Sequence, residues 1–284
     1  MIKQTSNDWF AVMVLDGGSD RKTKINFDAI SHSKLNKFKF SQNQGNYFCR
    51  EKAIDLANTD WYFHLDADDV LPLNAVEIIC EKIESNPKVS YIGGSYKLFS
   101  KGHEELRPVY TDIEKLCIKP LFLPTSPIKK DLLKKFGGYY KPKYYFHSDW
   151  DFWLSVYEEN VEGVHIDEVI YLRRLRQDSS TWKHLDDLPY AIEKIIERHP
   201  KYFHSFERKN KAIIEVFEKN AIHYRKLGKR VIAKHYAEKA LELGHSYSTY
   251  LNDIIKEYHM PWVYYKYFRF RKFIYVIKSK FYGN

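Results

Sequence analysis

Asp66, Asp68 and Asp69 stand together in Leu65-Asp66-Ala67-Asp68-Asp69, directly after the apolar run Trp61-Tyr62-Phe63-His64. Carboxylates one residue apart at a strand end can both reach one divalent cation. Mg²⁺ and Mn²⁺ favour such oxygen ligands and bridge diphosphates. A lone D-x-D is equally the composition of a solvated turn, so its neighbours decide. Upstream, Phe10-Ala11-Val12-Met13-Val14-Leu15 stops at Asp16-Gly17-Gly18-Ser19-Asp20. Gln42-Asn43-Gln44-Gly45-Asn46 then leads into a stretch holding Arg50. Downstream, Phe136-Gly137-Gly138-Tyr139 precedes Ser148-Asp149-Trp150-Asp151-Phe152-Trp153-Leu154.

The elements that must hold these residues follow from hydrophobic period. Residues 10–15 and 60–65 are short apolar runs ending in turns, as buried strands do. Residues 37–41 are a further strand candidate, and 89–99 one or two strands. Residues 46–58 and 73–84 carry helical spacing. Strands separated by helical stretches imply an α/β fold with a mainly parallel sheet. Ligands bind beyond the carboxyl ends of such strands, which is where Asp16 and Asp66 fall. From about residue 186 helical periodicity takes over, with Ala191, Ile192, Ile195 and Ile196 in one stripe. Ala221, Tyr224, Gly228, Ala233, Tyr236 and Ala240 have the spacing of one tetratricopeptide hairpin. No second copy follows, so a generic two-helix packing motif is the expectation. The division is therefore 1–185, a catalytic α/β domain, and 186–284, an α-helical appendage.

Composition removes several classes. The chain has 284 residues, of which 44% are apolar and 29% charged, a globular balance. No apolar run nears the roughly 18 residues of a spanning helix. The polar start has no signal-peptide core. Cys49, Cys80 and Cys117 are odd in number and never paired as C-x-x-C, which excludes a disulfide framework or zinc site and points to a reducing cytosol. Of the net charge of +9, Lys266, Arg269, Arg271, Lys272, Lys278 and Lys280 supply six, with no acid beside them after residue 260.

The ordered series resembles the family 2 glycosyltransferases with the nucleotide-sugar-binding GT-A fold. Their pattern runs D-D-G-S, N-x-G with A-R-N, L-D-x-D-D, G-G and E-D-x-D-x-W-L. The resemblance covers residues 2–182. It implies that Asp16 reads the donor base, that Asn43, Gly45 and Arg50 lie near the nucleotide, and that Asp66 meets the donor ribose. Asp66 and Asp68 would hold Mn²⁺ or Mg²⁺ between donor phosphates, a UDP-sugar being the expected donor. Asp69 would support that loop. Asp149 is similar to the family's general base, with Asp151 as its rival because Ser148 replaces the Glu of E-D. The implied reaction is inverting transfer to a glycan or lipid-linked acceptor, in surface polysaccharide synthesis. His147 and His184 are weighed as a third metal ligand and are better placed as surface histidines. Lys129 and Lys130 fall where the family lines its acceptor side, or begin an ordinary helix.

Two departures stand out. Gly17 replaces the second Asp of D-D-G-S. The family's first strand, normally central in the sheet, has no counterpart, so its neighbours would carry unpaired backbone groups or pair directly. A catalytically silent binding module is the rival expectation. Residues 261–284 interleave ten aromatics, from Trp262 to Tyr282, with the six cations. They suit a last packed helix, or a peripheral contact with anionic lipid at the inner membrane face. No nucleic-acid partner is expected.

Overall fold

Strand β1, Ala11–Leu15, pairs in parallel with β2, Leu35–Lys39, with Val14 opposite Phe38. The structure is a computed structural model that describes residues 2–109, 113–117, 125–139, 147–175, 187–244 and 249–260. Helix α1, Arg21–Ala29, joins the two strands. Its periodicity is weak because Phe27 is its sole buried residue. Its start is nevertheless marked: Thr23 N–H donates to the Asp20 carboxylate at 2.8 Å, an N-cap.

Helix α2, Asn46–Leu56, and helix α3, Ala75–Ser85, form where the helical spacing predicts them. The run at 60–65 becomes a much shorter strand, β3, Trp61–Tyr62. Its antiparallel partner β6, Ile128–Lys129, offers a ladder only that long. Strand β4, Ile92–Ser100, is a single strand with β5, His103–Arg107, antiparallel on one side. On the other side β7, Val164–Arg174, runs parallel, with irregular register at Gly94 to Tyr96. A side chain at Gly94 would collide with Ile170, so the glycine permits that close approach. Helices α4, Lys130–Lys135, and α5, Ser148–Glu158, complete this part.

Leu71, Ala75, Ile79, Ile92, Ile166, Ile170 and Tyr171 form one core where α3 meets β4 and β7. Helix α5 is buried on nearly every side: Trp150, Phe152, Trp153, Leu154 and Val156 are all inside. Its aromatic and aliphatic side chains thus face the interior, with Asp151 and Ser148 buried beside them.

The parallel ladder directs the Ala11 N–H to Lys34 and the Leu15 carbonyl to the Phe40 N–H. Backbone groups alternate sides along a strand, so those of Val12 and Val14 point away from β2. Among the described residues no strand pairs with that edge. A cleft of about 920 Å³ lies there, lined by β1, β3 and the inner faces of α2 and α3. Ile2, Phe10, Ile30, Leu65, Val70 and Leu73 are exposed apolar side chains on its walls.

Contacts divide the chain into two units, Met1–Asp187 with Lys194–Phe203, and Leu188–Glu193 with His204–Asn284. Helix α6, Leu188–Arg198, crosses that division. The second unit contains α7, Phe206–Lys226, α8, Arg230–Glu242, and α9, Thr249–His259. Ala221, Tyr224, Ala233, Ala237 and Ala240 pack with Leu251 and Ile254 of α9. Tyr224 stacks on Tyr236 with ring centroids 5.9 Å apart. These are residues of the tetratricopeptide-like spacing, here one hairpin closed by a third helix. The tail 261–284 lies outside the described residues.

Candidate functional site

Asp16, at the end of β1, uses its carboxylate on the loop before α2. Oδ1 accepts the Gln44 N–H at 2.7 Å and the Gly17 N–H at 2.9 Å. Oδ2 accepts the Gly45 N–H at 2.9 Å. Helix α2 has no side-chain cap of its own, so Asp16 supplies negative charge beside its N-terminus. Gly45 adopts φ +90°, which favours glycine. The loop packs so closely on β1's end that a Cβ at Gly17 would lie 2.3 Å from the Gln42 nitrogen. One at Gly18 would lie 2.7 Å from Asn43 Nδ2. The departure at Gly17 thus has a steric reason: no side chain fits there. Burial, and then the Asp16 charge, push the neighbouring Cys49 thiol up to about 11.

Helix α2 turns two side chains toward two carboxylates. Arg50 Nη2 donates to Asp66 Oδ1 at 2.7 Å. Burial opposes the guanidinium charge, but the Asp66 carboxylate outweighs it and raises the Arg50 pKa. Tyr47, one turn earlier, places its hydroxyl 3.2 Å from Asp149 Oδ1, and the Asp149 N–H donates back to it at 3.3 Å. Burial first, and the Asp149 charge second, raise the Tyr47 phenol well above its ordinary value.

The Asp66–Asp69 loop is anchored from β7. Asp69 Oδ1 accepts the Arg174 N–H at 2.7 Å, and Oδ2 accepts the Tyr171 hydroxyl at 2.8 Å. Tyr171 Oη in turn accepts the Asp66 N–H at 3.1 Å. Arg174 Nε donates to the Asp68 carbonyl at 2.8 Å. Val70 and Leu172 exchange two backbone hydrogen bonds. Burial raises the Asp69 pKa, against the bonds from Arg174 and Tyr171. Asp69 therefore ties down the loop that carries Asp66 and Asp68. Among the described residues no group of three or more His, Cys, Asp or Glu forms a complete metal cage.

Asp151 sits differently from Asp149. It is buried, with Oδ1 accepting from Arg198 Nε at 2.7 Å and 2.9 Å from His199 Nε2. Arg198 Nη2 adds a bond to Oδ2 at 3.2 Å. Burial pushes the Asp151 pKa up, but these partners outweigh it and hold it low. His199 also reaches Glu158, which accepts the Tyr202 N–H at 2.8 Å. Asp151 thus joins α5 to residues 194–203 of the same unit. His147 precedes α5 with its ring edge-on to Trp150, 6.1 Å between centroids. His184 lies outside the described residues. Lys129 and Lys130 donate to the Pro87 and Ala57 carbonyls, tying β6 and α4 to neighbouring loops.

Tyr47, Tyr139, Tyr171 and Arg174 are site neighbours that motif spacing missed. Nothing local marks them, since each acts on a partner far along the chain.

Comparison with known proteins agrees with this fold. Residues 1–136 match the family model described as Glycosyl transferase family 2. Those residues, just under half of the chain, resemble a family 2 glycosyltransferase domain, and the mixed α/β architecture is GT-A-like. A solved structure of S. aureus TarS 1-349 in complex with UDP is similar, with TM-score 0.56 and 16% identity over 81% of this chain and 68% of that one. Another, with UDP-GlcNAc, aligns at TM-score 0.54 and 12% identity over 90% and 83%. The mannosyltransferase PcManGT from Pyrobaculum calidifontis, in complex with GDP-Man and Mn²⁺, aligns at TM-score 0.54 and 16% identity over 90% and 78%. At such identities the likeness concerns the fold. A search of curated proteins gave no match. Among the described residues no helix is long and apolar enough to cross a membrane.

Proposed function

We propose that this chain is an inverting, metal-dependent glycosyltransferase that uses a nucleotide-sugar, a UDP-sugar first among the donors to test. The acceptor is a hydroxyl of a glycan or lipid-linked glycan in surface polysaccharide synthesis. The observation that carries the reading is that α2 bonds both Asp66, through Arg50, and Asp149, through Tyr47. A donor-side carboxylate and a base candidate are thereby held by one rigid element.

Asp66 and Asp68 fit a hard cation, since both offer oxygen and Asp66 Oδ2 is not the atom that meets Arg50. The donor diphosphate would supply further oxygens. When bound, Mn²⁺ or Mg²⁺ neutralises charge on the departing nucleoside diphosphate. Asp16, Asn43 and Gly45 shape the nucleotide side. Asp149 accepts the proton of the acceptor hydroxyl while that oxygen attacks the anomeric carbon. The bond to the diphosphate breaks on the opposite face, which inverts the centre. Asp149 is favoured over Asp151 because Arg198 and His199 occupy the latter. The tail 261–284 is the segment we assign to peripheral contact with anionic lipid at the cytoplasmic face.

Thermal shift with UDP-GlcNAc and GDP-mannose, each with Mn²⁺, tests the reading. Stabilisation by one of them, together with loss of turnover in Asp149→Asn, is the expected result. That no described strand pairs with the outer edge of β1 favours a second reading, a silent GT-A-like binding module. Absence of stabilisation by any donor would support it.

A further inference from the structure

We infer that Tyr47 is a positioning residue for transfer, orienting the Asp149 carboxylate through its phenol; this rests on Asp149 being the base. The Tyr47 hydroxyl has two contacts with that residue, 3.2 Å to Oδ1 and 3.3 Å to the backbone nitrogen. The phenol donates to the carboxylate and accepts from the amide, so both its hydrogen-bonding roles are used on one residue. With Oδ1 engaged, Oδ2 is the lone-pair site left for an acceptor hydroxyl.

The ring cannot swing away easily. Tyr47 is buried, and the Tyr139 ring lies 5.2 Å from its own. The Arg50 guanidinium sits over the Tyr47 ring, 5.5 Å from its centroid. Tyr139 is itself held, because its N–H donates to Glu51 Oε1 at 2.7 Å and its hydroxyl lies 3.2 Å from His64 Nε2. The chain Asp66, Arg50, Tyr47, Asp149 thus fixes the distance between donor site and base through one turn of α2. Proximity and orientation of this kind are worth large factors in rate, and small misplacements are costly.

The test is Tyr47→Phe, which keeps the buried ring and removes one oxygen. The assay follows release of nucleoside diphosphate from UDP-GlcNAc and from GDP-mannose with Mn²⁺, water serving as acceptor. The expected result is a kcat about tenfold lower, the scale of one hydrogen bond to a charged group. Donor KM, and the thermal shift given by donor, should stay within about twofold, since no donor contact is removed. In an Asp149→Asn background the same change should leave the residual rate unaltered. Unchanged kcat in Tyr47→Phe while Asp149→Asn is inactive would overturn the role of Tyr47 alone. Parallel loss of kcat, donor binding and thermal stability would also overturn it, as the mark of a merely structural ring. Full turnover by Asp149→Asn, or release from neither donor by the wild-type chain, would overturn the base assignment and this inference together.

Discussion

Arg50 and Asp66 form an ion pair of unequal partners: the Arg50 side chain is 10% exposed and that of Asp66 44%. The bond of 2.7 Å holds a half-exposed carboxylate that lines the cleft. Replacing Arg50 by Gln should free Asp66 and leave its charge facing the donor diphosphate. Affinity for UDP-GlcNAc with Mn²⁺ should fall about tenfold, the scale of a charge-assisted bond. Titration calorimetry on the folded variant measures it.

The proposed metal dependence rests on the pair Asp66 and Asp68. Chelation with EDTA should abolish turnover, and Mn²⁺ should restore it. Asp68→Asn should raise the Mn²⁺ concentration needed for half-maximal rate by roughly tenfold or more, as loss of an outer or inner ligand contact does. An Asp68→Asn enzyme with wild-type Mn²⁺ dependence would remove that residue from the metal site.

Gly17→Ala tests the packing of β1 on the 42–45 loop. The added methyl would come within 2.5 Å of the Gln42 backbone. Overpacking of this type costs about 1–3 kcal/mol. The melting temperature should drop by several degrees, and Asp16 should lose its hold on the Gln44 and Gly45 amides. A variant as stable as the parent would show that the loop yields freely.

Asp151→Ala should be among the most damaging changes to stability. It strips a buried carboxylate from Arg198 and His199, and breaking such a pair costs about 3–5 kcal/mol. Asp151→Asn keeps the shape and should cost less. The folded Asp151 pKa is depressed, so its contribution is present above the ordinary value of 3.8 and is lost as pH falls through the folded value. Denaturant midpoints near neutral pH and near pH 3 measure both effects.

His64 gives a second pH signature. Burial, and then the Arg50 charge, hold it well below its ordinary value of 6.5. On acidification the unfolded chain takes up a proton there while the folded one does not. Stability is therefore present above that pH and declines as pH falls below it. Between about pH 7.5 and about pH 5 the loss is at most about 2 kcal/mol. His64→Gln should flatten the decline by that amount in urea titrations.

Long, strongly periodic elements were legible from residues alone. The helix at 46–58 appears as Asn46–Leu56 and that at 73–84 as Ala75–Ser85. The apolar turns of α5 went to the interior. Strand β3 is shorter than its apolar run, because strand length depends on a partner, and β6 pairs with it over two residues. Helix α1 leaves little periodic trace in the residues because it buries only Phe27. Its Asp20 cap was the one local signal.

Sequence order alone determined which carboxylates fall at strand ends, where turns follow apolar runs, and hence the class of fold and site. It also marked Gly17 as a departure. Tertiary structure decided which partners each carboxylate meets. Asp69 and Asp151 are occupied by partners from β7 and from residues 198–199, while Asp66 and Asp149 are joined through α2. Those bonds join residues from 16 to 105 positions apart, and a local pattern carries no record of them. Local propensity acts over a few neighbours, whereas the role of a titratable group is set by burial and by the charges that folding brings to it.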